Sequence, residues 1–217
     1  MFKKNIIIVG CSFSRNKEGW PSMVANNLNL RLIHFGIGGT HWWTIKQFLD
    51  NLSQKQIENS EAIVCCHTLN RRPALDCKEQ ILYQTTKPPE WLEAKKLYHK
   101  YLHSQNFQEW VEPFWFKEFS EKFSKLKIIN LHCFDNSIKN KMHLRGTNVL
   151  PSLFSISCNE IDNAEAVMDN DERKNHFSDE NNIVLANAIT EYILNYQEAD
   201  VILDISKFNL LTTGWFD

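Results

Sequence analysis

Three short apolar runs, separated by helix-like segments, constrain the fold of this chain more than any other feature of its sequence. They read NIIIVG at 5–10, RLIHF at 31–35 and EAIVCCHT at 61–68. Continuous apolar runs of this length are typical of strands that are buried on both faces. Amphipathic helices are predicted between them, at 20–30 and 42–52. Strands that alternate with helices form a parallel sheet with helices on both of its faces.

The second half of the chain continues this pattern less regularly. A fourth strand is predicted at 126–134, and a last helix at 179–196 has Ser178 as its N-cap. Residues 135–177 are polar, and they predict irregular structure. These elements together predict a three-layer α/β/α sandwich with a mainly parallel, flavodoxin-like sheet.

The domain organisation follows from where the regular pattern stops. We expect a single α/β domain over 1–197, with a helical, aromatic-rich insertion at about 90–125. Pro113 is expected to break or kink that insertion, because proline removes a helical hydrogen bond. Residues 198–217 show no clear period and are predicted to form a C-terminal tail that packs on the domain or on a partner.

Composition argues against several classes of protein. Lys and Arg number 24 against 26 Asp and Glu, so no basic excess favours nucleic-acid binding. No apolar run approaches the ~18 residues of a membrane span, and the stretch from Ile6 to Val9 is short for a signal peptide. The six cysteines form no CxxC pair and fit reduced, buried thiols. A cytoplasmic location is the expectation.

Polar and glycine-rich segments follow the predicted strands, at the sheet edge where sites form in parallel α/β folds. A serine hydroxyl there becomes a nucleophile when a histidine takes its proton, and glycine N–H groups or an asparagine amide can hold an oxyanion. An arginine can bind an anionic group of a substrate. The candidates are Ser12 as nucleophile, with Ser14 as its rival, Gly39 and Asn70 as oxyanion donors, Arg71 as an anion-binding residue and His176 as base.

In this order the segments resemble the sequence blocks of SGNH/GDSL hydrolases. The first block, glycine, aspartate, serine, reads Gly10, Cys11 and Ser12 here. HFGIGGT resembles the second block, with Gly39 at the oxyanion glycine and His34 where asparagine is common. Asn70 matches the third block with a slip of one residue. The combination is also similar to short SGNH-like proteins carried by marine bacteriophages.

The last block departs from the family at its acid. His176 stands at the family spacing before Leu185-Ala186, but the position three residues before it is Arg173 instead of aspartate. Asp171 or Asp169 can replace that acid, and we expect Asp171 to do so. A Ser–His dyad that lacks an acid and an inactive site are the alternatives.

The resemblance implies a serine esterase or acyl hydrolase that acts on a small-molecule or glycan ester and uses no metal or organic cofactor. Ser12 would attack, His176 would act as base and then as acid, and Asp171 would orient it. Because Arg173 and Cys11 stand where the family has aspartate, an inactive binding or structural module is the alternative. Such a module would be a homo-oligomer or a virion component, located in the virion. Carbohydrate O-deacetylation is a third option.

Overall fold

Six strands form one all-parallel sheet in the order β2-β1-β3-β4-β5-β6. The computed structural model describes residues 3–68, 89–102, 104–134, 144–168 and 171–216. The strands are β1 (Asn5–Gly10), β2 (Arg31–Gly36), β3 (Ser60–His67), β4 (Lys127–His132), β5 (Thr147–Leu150) and β6 (Asp200–Ile202).

Eight α-helices lie in the described part of the chain, and they cover both faces of the sheet. A π-helical turn, Tyr98–Leu102, follows the fourth of them. The helices are α1 (Trp20–Asn27), α2 (Trp42–Asp50), α3 (Gln54–Glu58), α4 (Pro89–Leu97), α5 (Gln105–Lys122), α6 (Leu153–Ile161), α7 (Ala164–Met168) and α8 (Asp179–Leu194).

The sheet separates two apolar cores, as the predicted three-layer sandwich requires. Successive side chains of a strand point to opposite faces, and in β1 Ile6 and Ile8 enter one core while Ile7 and Val9 enter the other. The first core packs against α1, α6 and α8, and the second packs against α2, α3 and α5. The α/β/α architecture predicted from the strand pattern is confirmed.

Three expectations differ from the structure. The helix α5 runs through Pro113 without a break, and Phe116 and Phe119 beyond the proline are buried in the second core. The region 135–177, expected to be irregular, contains β5, α6 and α7. Residues 200–202 add β6 to the sheet, so the structured domain extends past residue 197 into the predicted tail. These elements are short and carry several polar residues, which hides their periodicity.

Beyond β6 the chain packs back onto the domain. The N–H groups of Leu211 and Thr212 both donate to the carbonyl of Asn159, at 2.8 and 3.2 Å. The N–H of Trp215 donates to the Asn159 side chain at 3.1 Å. Of the helices that the structure describes, none combines the length and apolarity that crossing a bilayer would require.

Candidate functional site: a cleft at the carboxyl edge of the sheet

Ser12 begins a tight 3-10 turn, Ser12–Ser14, that directly follows β1. The turn is closed by hydrogen bonds from Ser14 N to Cys11 O, at 3.0 Å, and from Arg15 N to Ser12 O, at 3.1 Å. The rival Ser14 is fully buried, and its hydroxyl donates to the carbonyl of Cys11. Ser12 is partly exposed and lines an open cleft. Ser12 is therefore the serine of this turn that a substrate can reach.

His176 lies on a second 3-10 turn, Lys174–His176, just before α8. Both Asn175 and His176 have left-handed backbone conformations, with φ of 56° and 66°. Asparagine and histidine are more common in this region than most residues, but two in succession need support from their surroundings. Ser157 of α6 supplies part of it, because its hydroxyl donates to the carbonyl of His176.

Asp171, the predicted acid, contacts His176. Its Oδ2 lies 3.0 Å from the Nδ1 of His176, and the carboxylate side chain is 4% exposed. Burial alone would raise the pKa of the Asp171 carboxyl, but hydrogen bonds from Arg173 and from His176 outweigh burial and lower it. A carboxylate at Nδ1 orients the ring and turns Nε2 away from the acid, as a general base requires.

Arg173, three residues before His176, binds the side chain of Asp171. Its Nε and Nη2 donate to the two oxygens of Asp171, at 3.0 and 2.8 Å. Its Nη1 lies 3.1 Å from Oε2 of Glu160, and the other oxygen of Glu160 accepts the N–H of Ser178 at 2.7 Å. Arg173 is thus held between two carboxylates, those of Asp171 and Glu160.

Two buried asparagines fasten the Ser12 side of the cleft to the His176 side. Asn175 accepts from Asn16 N at 2.6 Å and donates to Asn16 O at 3.1 Å. Asn182 of α8 accepts from Trp20 N at 3.0 Å and donates to the carbonyls of the His176 turn and the start of α8. Gly19 fits between them, since a Cβ there would lie 2.3 Å from Nδ2 of Asn175. The segments that carry Ser12 and His176 are therefore held together by the fold.

The cleft has a volume of about 590 Å³, within the range of small-molecule sites. Its charges nearly balance once Arg173 and Asp171 are paired, so they favour neither an anionic nor a cationic ligand strongly. Among the described residues, no group of three or more His, Cys, Asp or Glu side chains is arranged to hold a metal ion. The cleft is lined by Ser12, Arg15, Asn16, Lys17, Glu18, Asp171, Glu172, Arg173, Lys174, Asn175 and His176.

Of the two predicted oxyanion donors, the structure describes Gly39 but not Asn70. Gly39 lies three residues beyond β2, exposed and with a left-handed φ of 71°. The end of β2 is fastened to the Ser12 loop by a hydrogen bond from Ile37 N to Gly10 O, at 3.3 Å. His34 contacts the carbonyl of Ser14 through Nε2. Asn70, Arg71 and the alternative acid Asp169 lie outside the described residues.

The hydrogen bonds of the described residues do not include one between the Ser12 hydroxyl and His176. Phe13, next to Ser12, packs its ring against the His176 ring with centroids 4.7 Å apart. Hydrogen bonds between nucleophile and base are often long in ligand-free sites and tighten when substrate binds. Both side chains line the same cleft.

A second group of histidines lies at the same sheet edge, on the opposite face of the sheet. The rings of Trp42, His67 and His132 are stacked, with successive centroids 5.2 and 5.5 Å apart, and Phe116 contacts His67 edge-on. Nε2 of His67 lies 2.9 Å from Oδ1 of Asn130, which identifies Nε2 as the protonated nitrogen. We call these five residues the ring stack. Burial first, and then the neighbouring His132, lower the pKa of His67 to about 3.

Sequence reasoning missed the residues that fasten the cleft together. Asn182 offered one signal, because it begins the inward apolar stripe of α8 that continues through Leu185, Ala186 and Ile189. A polar residue on such a stripe is expected to bind buried backbone groups. Asn175 and Gly19 offered no comparable signal, since their role depends on contacts with residues distant in the sequence.

Comparison of the chain with protein-family models, with curated protein sequences and with solved structures finds no match.

Proposed function

We propose that this protein is a serine esterase or acyl hydrolase of the SGNH type. The observation that carries the proposal is the contact of 3.0 Å between Asp171 and His176, in the cleft that Ser12 also lines. A nucleophile, a base and an acid that orients the base are the constellation that acyl transfer needs. The all-parallel sheet and the position of the cleft at its carboxyl edge support the same proposal.

The reaction follows from the roles that these groups can take. Nε2 of His176 accepts the Ser12 proton while Oγ attacks the ester carbonyl, and Asp171 stabilises the imidazolium that forms. The N–H groups of Ser12 and Gly39 are the proposed donors to the oxyanion. His176 then returns the proton to the leaving alcohol, and a water molecule hydrolyses the acyl-serine by the same steps. This cycle uses no metal or organic cofactor.

A small-molecule or glycan ester is the proposed substrate, because the cleft is open and of small-molecule size. The cytoplasm is the proposed location of this activity. Lys17, Arg15, Glu18 and Glu172 lie around the cleft and give it both signs of charge. An uncharged test ester is therefore the appropriate first substrate.

Fluorophosphonate labelling of the purified protein tests the proposal, with p-nitrophenyl acetate hydrolysis as a second readout. We expect labelling in the wild type and none in Ser12→Ala or His176→Ala. Ser14→Ala is the matched control, because its hydroxyl is buried and bonded to Cys11 O, and it should label at nearly the wild-type rate. Full labelling of folded Ser12→Ala would refute the mechanism.

A non-catalytic binding or structural module is the second candidate. It is favoured by aromatic side chains on the outer face of α5. Phe107, Trp110 and Phe114 are 56%, 63% and 58% exposed, respectively. A virion component that assembles through this face would co-purify with particles in fixed stoichiometry. A monomer that hydrolyses esters through Ser12 would argue against it.

A further inference from the structure

Arg173 reaches His176 by two separate routes. The first runs through the side chain of Asp171, which accepts from Arg173 and contacts Nδ1 of His176 at 3.0 Å. The second runs through Ser157, whose hydroxyl accepts from Nη2 of Arg173 at 2.9 Å and donates to the backbone carbonyl of His176. The ring and the backbone of one histidine are thus held by the same guanidinium.

The guanidinium of Arg173 also contacts a second carboxylate, that of Glu160. Its Nη1 lies 3.1 Å from Glu160, whose side chain is 8% exposed and is also bonded to Ser178 N. The Arg173 side chain is 18% exposed. The planar fork of arginine can bind both oxygens of a carboxylate at once, which a lysine ammonium cannot do with the same geometry.

We propose that Arg173 is a positioning residue that holds His176 in its working orientation through Asp171 and Ser157. This inference rests on the proposed esterase function, where His176 is the base. His176 has a left-handed backbone conformation, which persists only when neighbouring residues hold it there. The contacts of Arg173 and Ser157 supply such support. In this chain the arginine fixes the acid, and the acid fixes the base.

A double-mutant cycle between Arg173→Lys and Asp171→Asn tests the proposal. The rate constant of fluorophosphonate labelling is measured in the wild type, in both single variants and in the double variant. We expect Arg173→Lys to lower it about 100-fold in the wild-type background, as displacements of a reacting group by about 1 Å can do. In the Asp171→Asn background the same substitution should lower the rate only about tenfold, because the route through the acid is already lost and only the route through Ser157 remains to be broken.

Arg145→Lys is the matched control for the substitution. Arg145 Nε also contacts a carboxylate, both oxygens of Glu198 at 3.0 and 3.3 Å, but it precedes the amino end of β5, away from the cleft. Its labelling rate should equal that of the wild type. Equal losses from Arg173→Lys in both backgrounds would overturn the proposal, because they would mean that Arg173 acts independently of Asp171.

A proton NMR signal makes the test independent of activity. An imidazole Nδ1–H bonded to a carboxylate gives a low-field resonance, which we expect in the wild type and expect to lose in Asp171→Asn and in Arg173→Lys. Ser157→Ala tests the second route and should lower the labelling rate about tenfold while the low-field signal persists. If wild-type Ser12 does not label, the esterase proposal fails. Retention of the low-field Nδ1–H resonance in Arg173→Lys would overturn the positioning role of Arg173, whatever the outcome of the labelling.

Discussion

The cleft and the ring stack place histidines at the same edge of one sheet, but the partners and the exposure of these histidines differ. In the cleft, His176 is 17% exposed on its side chain and contacts the carboxylate of Asp171. In the ring stack, His67 is buried, contacts the amide of Asn130 and is packed between two rings. A carboxylate stabilises an imidazolium, whereas an amide in an apolar environment does not.

The difference shows which features make a histidine useful for acid–base chemistry. His67 and His132 are paired neighbours on β3 and β4, at the sheet edge where active sites form. The pKa of His67, about 3, keeps its ring neutral across the physiological range, so it serves the fold as a packed aromatic group. The cleft differs because an anion and partial access to water are present together. Position at the sheet edge is therefore not sufficient for function.

The largest effect is expected from Asp171→Asn, which gives His176 the kind of amide partner that His67 has. Loss of the anion removes the stabilisation of the imidazolium and favours the wrong tautomer, so the labelling rate of Ser12 should fall by about 10⁴-fold. Labelling kinetics of the purified variant measure this, with its melting temperature as a check on folding. A loss smaller than about tenfold would mean that the acid is not part of the site.

Asn182→Ala is expected to have the next largest effect, on stability. It removes the acceptor of the buried Trp20 N–H and the donor to three carbonyls, so the free energy of unfolding should fall by about 3 kcal/mol. Asn187→Ala on the same helix is the control, because Asn187 is exposed and its side chain accepts from Asn27 Nδ2 at 3.3 Å. Urea denaturation measures the free energy of unfolding of both variants. Equal effects would mean that Asn182 does not fasten the cleft.

The ring stack should make stability depend on pH. The folded pKa of His67, about 3, lies below the ordinary value of 6.5, so the unfolded chain binds more protons between these values. Stability therefore falls as pH decreases below 6.5, and His67 contributes a loss of about 2 kcal/mol between pH 7 and pH 5. Urea titrations at both pH values should show a smaller difference for His67→Gln than for the wild type. An unchanged difference would contradict the buried, neutral assignment.

Gly19→Ala is expected to have the smallest effect, confined to the cleft. The added Cβ would lie 2.3 Å from Asn175 Nδ2 and 2.8 Å from Asn182 Oδ1, which forces the two asparagines to shift. We expect a loss of about 1–2 kcal/mol of stability, since overpacking costs this much when neighbours must move. In Gly214→Ala, the control, the added Cβ would lie 3.6 Å from its nearest neighbour, Oγ1 of Thr212. This variant should leave the free energy of unfolding, measured by urea denaturation, unchanged. If the two variants are equally stable, Gly19 has no special spatial role.

The sequence predicted the elements whose pattern is local. The strand β1 has the predicted bounds, and β2, β3 and β4 agree within two residues, because continuous apolar runs mark buried strands. The N-cap at Ser178 is confirmed by its bond to Asn181 N, at 3.1 Å. The short strands β5 and β6 were missed, since three or four residues carry too little periodicity to identify a strand.

The sequence pattern predicted only part of the candidate site. Ser12 and His176 were selected because each stands next to a regular element at the sheet edge, and both line the cleft. Asp171 was chosen as a nearby acid, and the Arg173 that binds it also contacts Ser157 and Glu160, both of α6. The catalytic roles of these residues remain predictions.

The amino-acid sequence by itself determined the α/β architecture, because alternating apolar runs and amphipathic segments can bury their surfaces well only in such layers. It also placed a serine after β1 and a histidine before α8, since these positions follow from the order of elements. Only the tertiary structure decided that Asp171 reaches His176 and that Arg173 holds both. Those contacts depend on α6 packing beside the His176 turn, and no local pattern encodes the distance between segments that meet only when the chain is folded.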